Sequence, residues 1–262
     1  MDGNEIVLKK DLSTNNFNTI KKALIIKNPK FQSVERYNSW KLSGTPEFIQ
    51  FFKEERDRLL LPRNTLKILN IDAPSEVFCS EGQEADIKFF GSLRDYQEDF
   101  IKTVDFSEDD MIWNVPAGHG KTILTLWYLA KIKRKAIIFV NTNFLVNQWF
   151  NRIRDFSQEK ALCLSSKINN INTIVDSNII ITTIQTYNNL NNRIVELIGR
   201  TRGIEVFDEC HRMGAETYYP VLTESIVKKR LALTATFRRG ANLQQKLQFH
   251  FGNIYNCLLY TS

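Results

Sequence analysis

The chain reads as an α/β protein, a mainly parallel sheet layered with helices and preceded by a small α+β domain over residues 1–88. Three observations carry that reading. From Leu93 onward, short apolar runs alternate with helix-period stretches, the pattern of successive βα units. Before that point, apolar runs such as Ile6–Leu8 and Ala23–Ile26 are cut by breakers at Asn28-Pro29, Gly44-Thr45-Pro46 and Leu61-Pro62. The length of 262 residues, 43% hydrophobic and 24% charged, suits one large or two ordinary domains rather than a disordered chain.

The elements follow in order. Strands are expected at Met111–Val115, Ala136–Val140, Ala161–Leu164, Asn178–Thr182, Ile204–Phe207 and Leu231–Leu233, each a short apolar run of the kind buried on both faces. Helices are expected at Asp95–Val104, Lys121–Ile132, Asn143–Phe156, Tyr187–Leu197 and Glu216–Ile226. The change of texture puts the domain boundary near Glu84–Gly91. Glu205 interrupts the run Ile204–Phe207. A buried carboxylate needs a partner, so this strand is expected nearer the sheet edge than its neighbours.

Composition excludes several classes. Apolar runs such as Ala136–Val140 fall far short of the roughly 20 residues that span a bilayer. The start, MDGNEIVLKKDL, lacks the apolar core of a secretory signal, so no membrane partner and a cytoplasmic or intracellular location are expected. Cys79, Cys163, Cys210 and Cys257 are scattered, with no CxxC pair, which argues for free thiols rather than zinc. The net charge is +6: 14 basic against 13 acidic side chains up to residue 90, and 21 against 16 beyond it. That surplus is compatible with a polyanionic partner without requiring one.

The sharpest local signal is Val115-Pro116-Ala117-Gly118-His119-Gly120-Lys121-Thr122, between an expected strand and an expected helix. Glycines let the backbone curl so that successive N–H groups face phosphate oxygens, and the helix N-terminus adds partial positive charge. Pro116, Ala117, Gly118, His119 and Gly120 would form that cradle. Lys121 would supply a point charge for the outer phosphates, and Thr122 a hydroxyl for Mg²⁺. The pattern normally opens with Gly or Ala where this chain has Val115. His119 stands where a small residue is commoner, a change that backbone-mediated binding tolerates.

Eighty-seven residues after Lys121 comes Asp208-Glu209-Cys210-His211, at the end of the expected strand Ile204–Phe207. A strand C-terminus delivers a carboxylate to the phosphate cradle. Asp208 is the candidate for the Mg²⁺ shell, and Glu209 the candidate base that orients an attacking water. Alone, such an acidic pair reads equally as a helix cap. Paired with the loop, it reads as ATP chemistry.

The GKT ending, DECH and, 26 residues after Asp208, Thr234-Ala235-Thr236 resemble motifs I, II and III of DExH-type superfamily 2 helicases. Leu93-Arg94-Asp95-Tyr96-Gln97 resembles the LRxYQ element of the branch that contains XPB, UvsW-like phage helicases and type III restriction motors. The resemblance implies a RecA-like P-loop NTPase domain over residues 89–262 and ATP with Mg²⁺ as cofactors. It also implies that Gln97, with Arg94 beside it, reads the adenine; an amide can pair with adenine N6 and N7. His211, Thr234 and Thr236 would couple the nucleotide site to the strand-binding surface. Thr142 in VNTNFLVNQW, and Gln185 and Thr186 in ITTIQTY, resemble motifs that touch a nucleic-acid backbone and position it without reading sequence. Trp149 in the same stretch is expected to be a core anchor. Phe237-Arg238-Arg239-Gly240 resembles the following PRR–G segment, with Phe for Pro.

Asn28-Pro29-Lys30-Phe31, Arg36-Tyr37, Trp40, Pro46 and Leu61-Pro62-Arg63 resemble the accessory domain that precedes such motors. Aromatics interleaved with basic residues suit nucleic-acid stacking and phosphate contact. They equally suit a small core. The implied function is an ATP-dependent DNA helicase or translocase. Two alternatives stay open: a type III restriction-type motor subunit, and a single-lobe nucleic-acid-binding module that does not cycle ATP. A superfamily 2 motor closes ATP between two RecA-like lobes, and the second lobe, with its arginine finger, is expected to be missing here. An arginine finger accelerates hydrolysis about 10³–10⁵-fold where measured. The 262-residue chain alone is therefore expected to turn ATP over slowly; rapid, DNA-stimulated turnover by the purified monomer would overturn that expectation.

Overall fold

The computed structural model describes residues 3–28, 31, 46–165, 170–210, 215–235 and 242–257. It divides into two compact units, Asn4–Val77 with Arg239–His250, and Phe78–Arg238 with Phe251–Ser262 and the first three residues.

The smaller unit is built on an antiparallel sheet. Its strands are β1 (Glu5–Leu8), β4 (Lys53–Glu54), β5 (Arg58–Leu61) and β6 (Glu76–Val77), in the order β4-β5-β1-β6. A second antiparallel pair joins β2 (Ile25–Lys27) to β3 (Phe48–Gln50). Helix α1 (Thr14–Leu24) starts where the Ser13 hydroxyl accepts from the Asn16 N–H, and it buries Ile20 and Leu24. Val7, Phe51, Phe52, Leu59 and Leu61 complete the core. Glu5 is buried, and burial raises its pKa; its carboxylate accepts from Leu66 N–H and Ser75 Oγ. Helix α2 (Thr65–Leu69) follows β5. Pro29, Lys30, Arg36, Tyr37 and Trp40 lie outside the described residues.

The larger unit is a seven-stranded sheet whose pairings are all parallel. Its strands are β7 (Asp110–Asn114), β8 (Ala136–Val140), β9 (Ala161–Cys163), β10 (Ile179–Thr183), β11 (Ile204–Phe207), β12 (Lys229–Thr234) and β13 (Asn253–Asn256). The order is β13-β7-β12-β11-β8-β10-β9. Helices α3 (Asp95–Lys102), α4 (Lys121–Ile132), α5 (Asn143–Phe156), α6 (Ile171–Asp176), α7 (Ile184–Asn188), α8 (Asn192–Thr201) and α9 (Ala215–Glu224) connect them; α10 (Asn242–Phe251) precedes β13. This is the RecA-like α/β layering that the sequence predicts. Every residue of β8, β10 and β11 is buried, as parallel strands covered on both faces require. Phe139 stacks on Phe207 at 4.8 Å, and Trp113 packs against Phe100 and Tyr128. Among the described residues no helix is long and apolar enough to cross a membrane. The four cysteines are free thiols.

Four expectations change. The division falls at Val77/Phe78 rather than at residue 88, because the segment after Val77 runs along the larger unit. Ala85 and Ile87 enter its core, and Gln83 and Ala85 N–H donate to Thr201 and Lys133 carbonyls. Residues 239–250 join the smaller unit, where Asn64 N–H donates to Phe249 O and Phe51 meets the His250 ring edge-on. The single helix expected at Tyr187–Leu197 is two, α7 and α8, because Asn191 breaks the run and caps α8 by accepting from Ile194 N–H. Finally, β11 is the central strand, not one near an edge. Glu205, 1% exposed, finds its partner on the adjacent strand, where Arg230 Nε lies 3.3 Å away at the register position opposite. Ser225 Oγ also donates to Glu205, and Arg230 donates to the carbonyls of Leu222 and Ser225.

Candidate nucleotide site and strand-binding edge

In a parallel sheet every strand ends on the same edge, so residues distant in sequence converge there. From β7 to β10 across the sheet, that edge receives the 115–120 loop, Thr234, Asp208-Glu209, Thr142 and Thr183. The expected nucleotide motifs follow β7, β12 and β11, side by side. The expected backbone-contacting motifs follow β8 and β10, on the neighbouring part of the same edge.

The loop after β7 turns through Gly118 (φ 78°) and Gly120 (φ 77°), both in the left-handed region where a side chain is strained. A Cβ on Gly118 would meet nothing within 4 Å, whereas one on Gly120 would lie 2.5 Å from Gln97 Nε2. The loop is thus open on one side and closely backed on the other. Val115 N–H donates to Thr234 O, which ties the start of the loop to the end of β12. Thr234 is fully buried and registers opposite Asn114. Pro116 is half-buried, Ala117 exposed, and His119 Nδ1 lies 2.8 Å from Ala117 O.

Gln97 is buried in the first turn of α3 and faces the loop. Its Oε1 accepts from Arg94 N–H at 2.9 Å and its Nε2 donates to His119 O at 3.0 Å. Tyr96 sets its ring edge-on against His119. Arg94 is exposed, with its guanidinium 3.4 Å from Tyr96 Oη. Each end of the Gln97 amide keeps a second hydrogen-bonding capacity beyond these contacts.

Lys121 opens α4, and its Nζ lies 2.9 Å from Glu209 Oε1, with side chains only 12% and 22% exposed. Glu209 has φ 54°, an uncommon conformation for a non-glycine residue that turns its carboxylate to the lysine. Thr122 is half-buried in the first turn of α4. Asp208 is buried, its N–H donating to Phe139 O, and burial raises its carboxyl pKa above the ordinary range. Trp149 Nε1 donates to Asp208 Oδ2 at 2.9 Å. The other oxygen, Oδ1, is buried and meets no well-aligned donor among the described residues. Burial also pushes the Cys210 thiol up, which leaves it neutral and unreactive.

These features fit a phosphate-bound divalent cation. A buried carboxylate oxygen without a well-aligned donor could ligate a cation, and the open turn at Gly118 leaves room for a phosphate. Among the described residues no group of three His, Cys, Asp or Glu could hold a metal. Mg²⁺ commonly binds through one or two carboxylates plus phosphate oxygens and water.

On the neighbouring part of the edge, Thr142 is exposed and caps α5, its hydroxyl accepting from Leu145 N–H. Gln185 is exposed; Thr186 is half-buried, its N–H and hydroxyl both bonded to Thr183 Oγ1. His211, Thr236, Phe237, Arg238, Arg239 and Gly240 lie outside the described residues. The sequence predicts Trp149 as a core anchor. It is core, packed with Val146 and Ile153, but its N–H also reaches the second motif. A buried indole needs an acceptor for its N–H; that requirement was legible, its target 59 residues away was not.

Residues 90–239 match the family described as "Type III restriction enzyme, res subunit". The chain is 27% identical over 157 residues to "Probable helicase D10" of Escherichia phage T5, covering 60% of this chain and 33% of that protein. It is 30% identical over 147 residues to "DNA 3'-5' translocase XPB2" of Sulfurisphaera tokodaii, covering 56% and 31%. The chain thus spans about a third of the length of these relatives. In fold it is similar to the UvsW helicase of bacteriophage T4, with a TM-score of 0.65 at 18% identity over 98% of this chain and 97% of that one. With its glycine-rich loop, Asp208-Glu209 pair and RecA-like sheet, the chain belongs to the type III restriction enzyme res-subunit family, within the superfamily 2 helicases.

Proposed function

We propose that the larger unit binds ATP with Mg²⁺ and serves as the nucleotide-hydrolysing half of a DNA helicase or translocase. The observation that carries this reading is the pairing of Lys121 with Glu209 at 2.9 Å beside the buried carboxylate of Asp208. A lysine and two carboxylates, the kinds of group a phosphate-transfer site needs, stand at one sheet edge, which supports the reading. In this reading Pro116 to Gly120 cradle the phosphates, and Lys121 leaves Glu209 for the outer phosphates. Thr122 and Asp208 complete the Mg²⁺ shell. Gln97 offers its second N–H and lone pair to adenine, with Arg94 beside it, and Thr234, His211 and Thr236 couple nucleotide state to the strand.

Thr142, Gln185 and Thr186 would contact the nucleic-acid backbone, and the smaller unit would add contacts through its basic and aromatic residues. The archaeal relative is by its name a DNA translocase, which favours DNA as the track. A restriction-type motor would use the same half-site.

The test separates the two ligands. In Lys121→Ala, Mg²⁺–ATP binding measured by calorimetry is expected to weaken at least about a hundredfold, the loss of a charge-assisted contact worth roughly 3 kcal/mol. Binding of single-stranded DNA by filter assay is expected to persist, with affinity falling as salt rises. Undiminished ATP binding in the variant would sink the nucleotide-site reading. The absence of any salt-dependent binding to DNA would sink the assignment of the strand-binding edge.

A further inference from the structure

We infer that Trp149 is a positioning residue for the cation-holding carboxylate, its indole N–H fixing which oxygen of Asp208 is presented to Mg²⁺. The inference rests on the reading of Asp208 as a cation ligand and adds a residue from a different motif to that site.

The geometry is specific. Trp149 Nε1 lies 2.9 Å from Asp208 Oδ2, and both side chains are buried. A hydrogen bond to an ionised acceptor out of water is among the stronger kinds. The indole cannot swing away to release it, because Trp149 sits on α5 between Val146 and Ile153, all three packed into the core. The main chain of Asp208 is tied by its N–H to Phe139 O, and the Glu209 N–H also favours its carboxylate. Asp208 stands one residue beyond the end of β11, and its χ rotation would otherwise exchange its two oxygens. With Oδ2 held, Oδ1 is the oxygen left buried without a well-aligned donor, and so the one available to a cation or its water.

Had Trp149 been only a filler of the core, its N–H would be satisfied equally by any nearby carbonyl. Here it meets the second-motif carboxylate across 59 residues of sequence. Partners behind metal ligands fix ligand orientation, and their loss typically weakens metal affinity about 10–100-fold.

The test uses the full 262-residue chain and adenosine 5′-(β,γ-imido)triphosphate, bound with Mg²⁺ and, separately, with EDTA. Trp149→Phe keeps a ring and removes the N–H. A second variant carries β-(3-benzothienyl)alanine at position 149, which replaces the N–H by sulfur at nearly the same shape and keeps the packing intact. In both variants the gain in affinity on adding Mg²⁺ is expected to shrink by about 10–100-fold, with affinity in EDTA unchanged. The benzothienyl variant is also expected to melt at the native temperature.

Full retention of the Mg²⁺ effect in the benzothienyl variant would overturn the inference. So would equal loss with and without Mg²⁺, which marks a packing role only. A native chain that gains nothing from Mg²⁺ would overturn the nucleotide-site reading together with this inference. A native chain that does gain, beside variants that gain as much, would defeat the inference alone.

Discussion

Glu209→Gln is expected to lower ATP turnover about 10²–10⁴-fold, the usual contribution of a positioned general base, while nucleotide binding survives. The amide keeps the size of the side chain and its reach toward Lys121, but it cannot take a proton from water or hold a full negative charge. The ion pair between Lys121 and Glu209 is largely shielded from solvent. On the proposed reading ATP would draw Lys121 from that partner, so the ion pair would compete with the ligand. Removing the competing charge is expected to leave ATP affinity unchanged or to tighten it by up to about tenfold, or 1.4 kcal/mol. Single-turnover hydrolysis with the chain in excess over nucleotide measures the first effect, and calorimetry the second. Binding lost in parallel with turnover would show that Glu209 supports the loop rather than the chemistry.

The largest expected effect on stability is Glu205→Ala, about 3–5 kcal/mol, because it leaves the Arg230 guanidinium buried without its carboxylate. For a unit of this size that corresponds to a fall of roughly 6–20 °C in melting temperature. Arg230→Ala is expected to be comparably damaging. The double variant Glu205→Leu with Arg230→Met should recover most of the loss, since a buried pair replaced by apolar groups of similar volume is often neutral or stabilising. Thermal melts of the three variants check the ordering. A double variant no better than the worse single one would mean that the pair specifies the sheet register rather than merely satisfying itself.

These two sites show what the sequence could and could not disclose. The strands Ala136–Val140 and Ile204–Phe207 were legible as they stand, because strands buried on both faces have almost no choice but continuous apolar runs. The turn between β7 and α4 was legible because Gly118 and Gly120 tolerate the left-handed backbone it uses. Glu205 was legible as an anomaly only. Its remedy, Arg230, lies 25 residues away on a neighbouring strand, and pairing across a parallel sheet leaves no local pattern.

Strand β13, Asn-Ile-Tyr-Asn, was not legible at all. Its edge position needs little apolar content, and Glu108 anchors it by accepting from Asn253 and Tyr255. Arg202 is the same kind of case. It is fully buried and donates to the carbonyls of Ile174 and Ser177 at the end of α6. Burial lowers its pKa to about 10, yet in sequence it is one more basic residue after a helix. In the candidate site the side-chain identities were readable, but the Trp149–Asp208 bond and the use of Gln97 as a brace for the loop required the fold.

The strand order also has a consequence for synthesis. β7, which leads into the glycine-rich loop, pairs among the described residues with β12 and β13, and both are made more than 110 residues after it. At 5–20 residues per second the ribosome leaves Met111, Ile112 and Trp113 without their sheet neighbours for roughly 6–23 s. Strand β8 likewise waits for β10 and β11 while β9 is made first. The nascent chain thus displays an apolar, edge-exposed segment just before the glycine-rich loop, and slow non-local closure of the sheet sets the window for chaperone capture or aggregation.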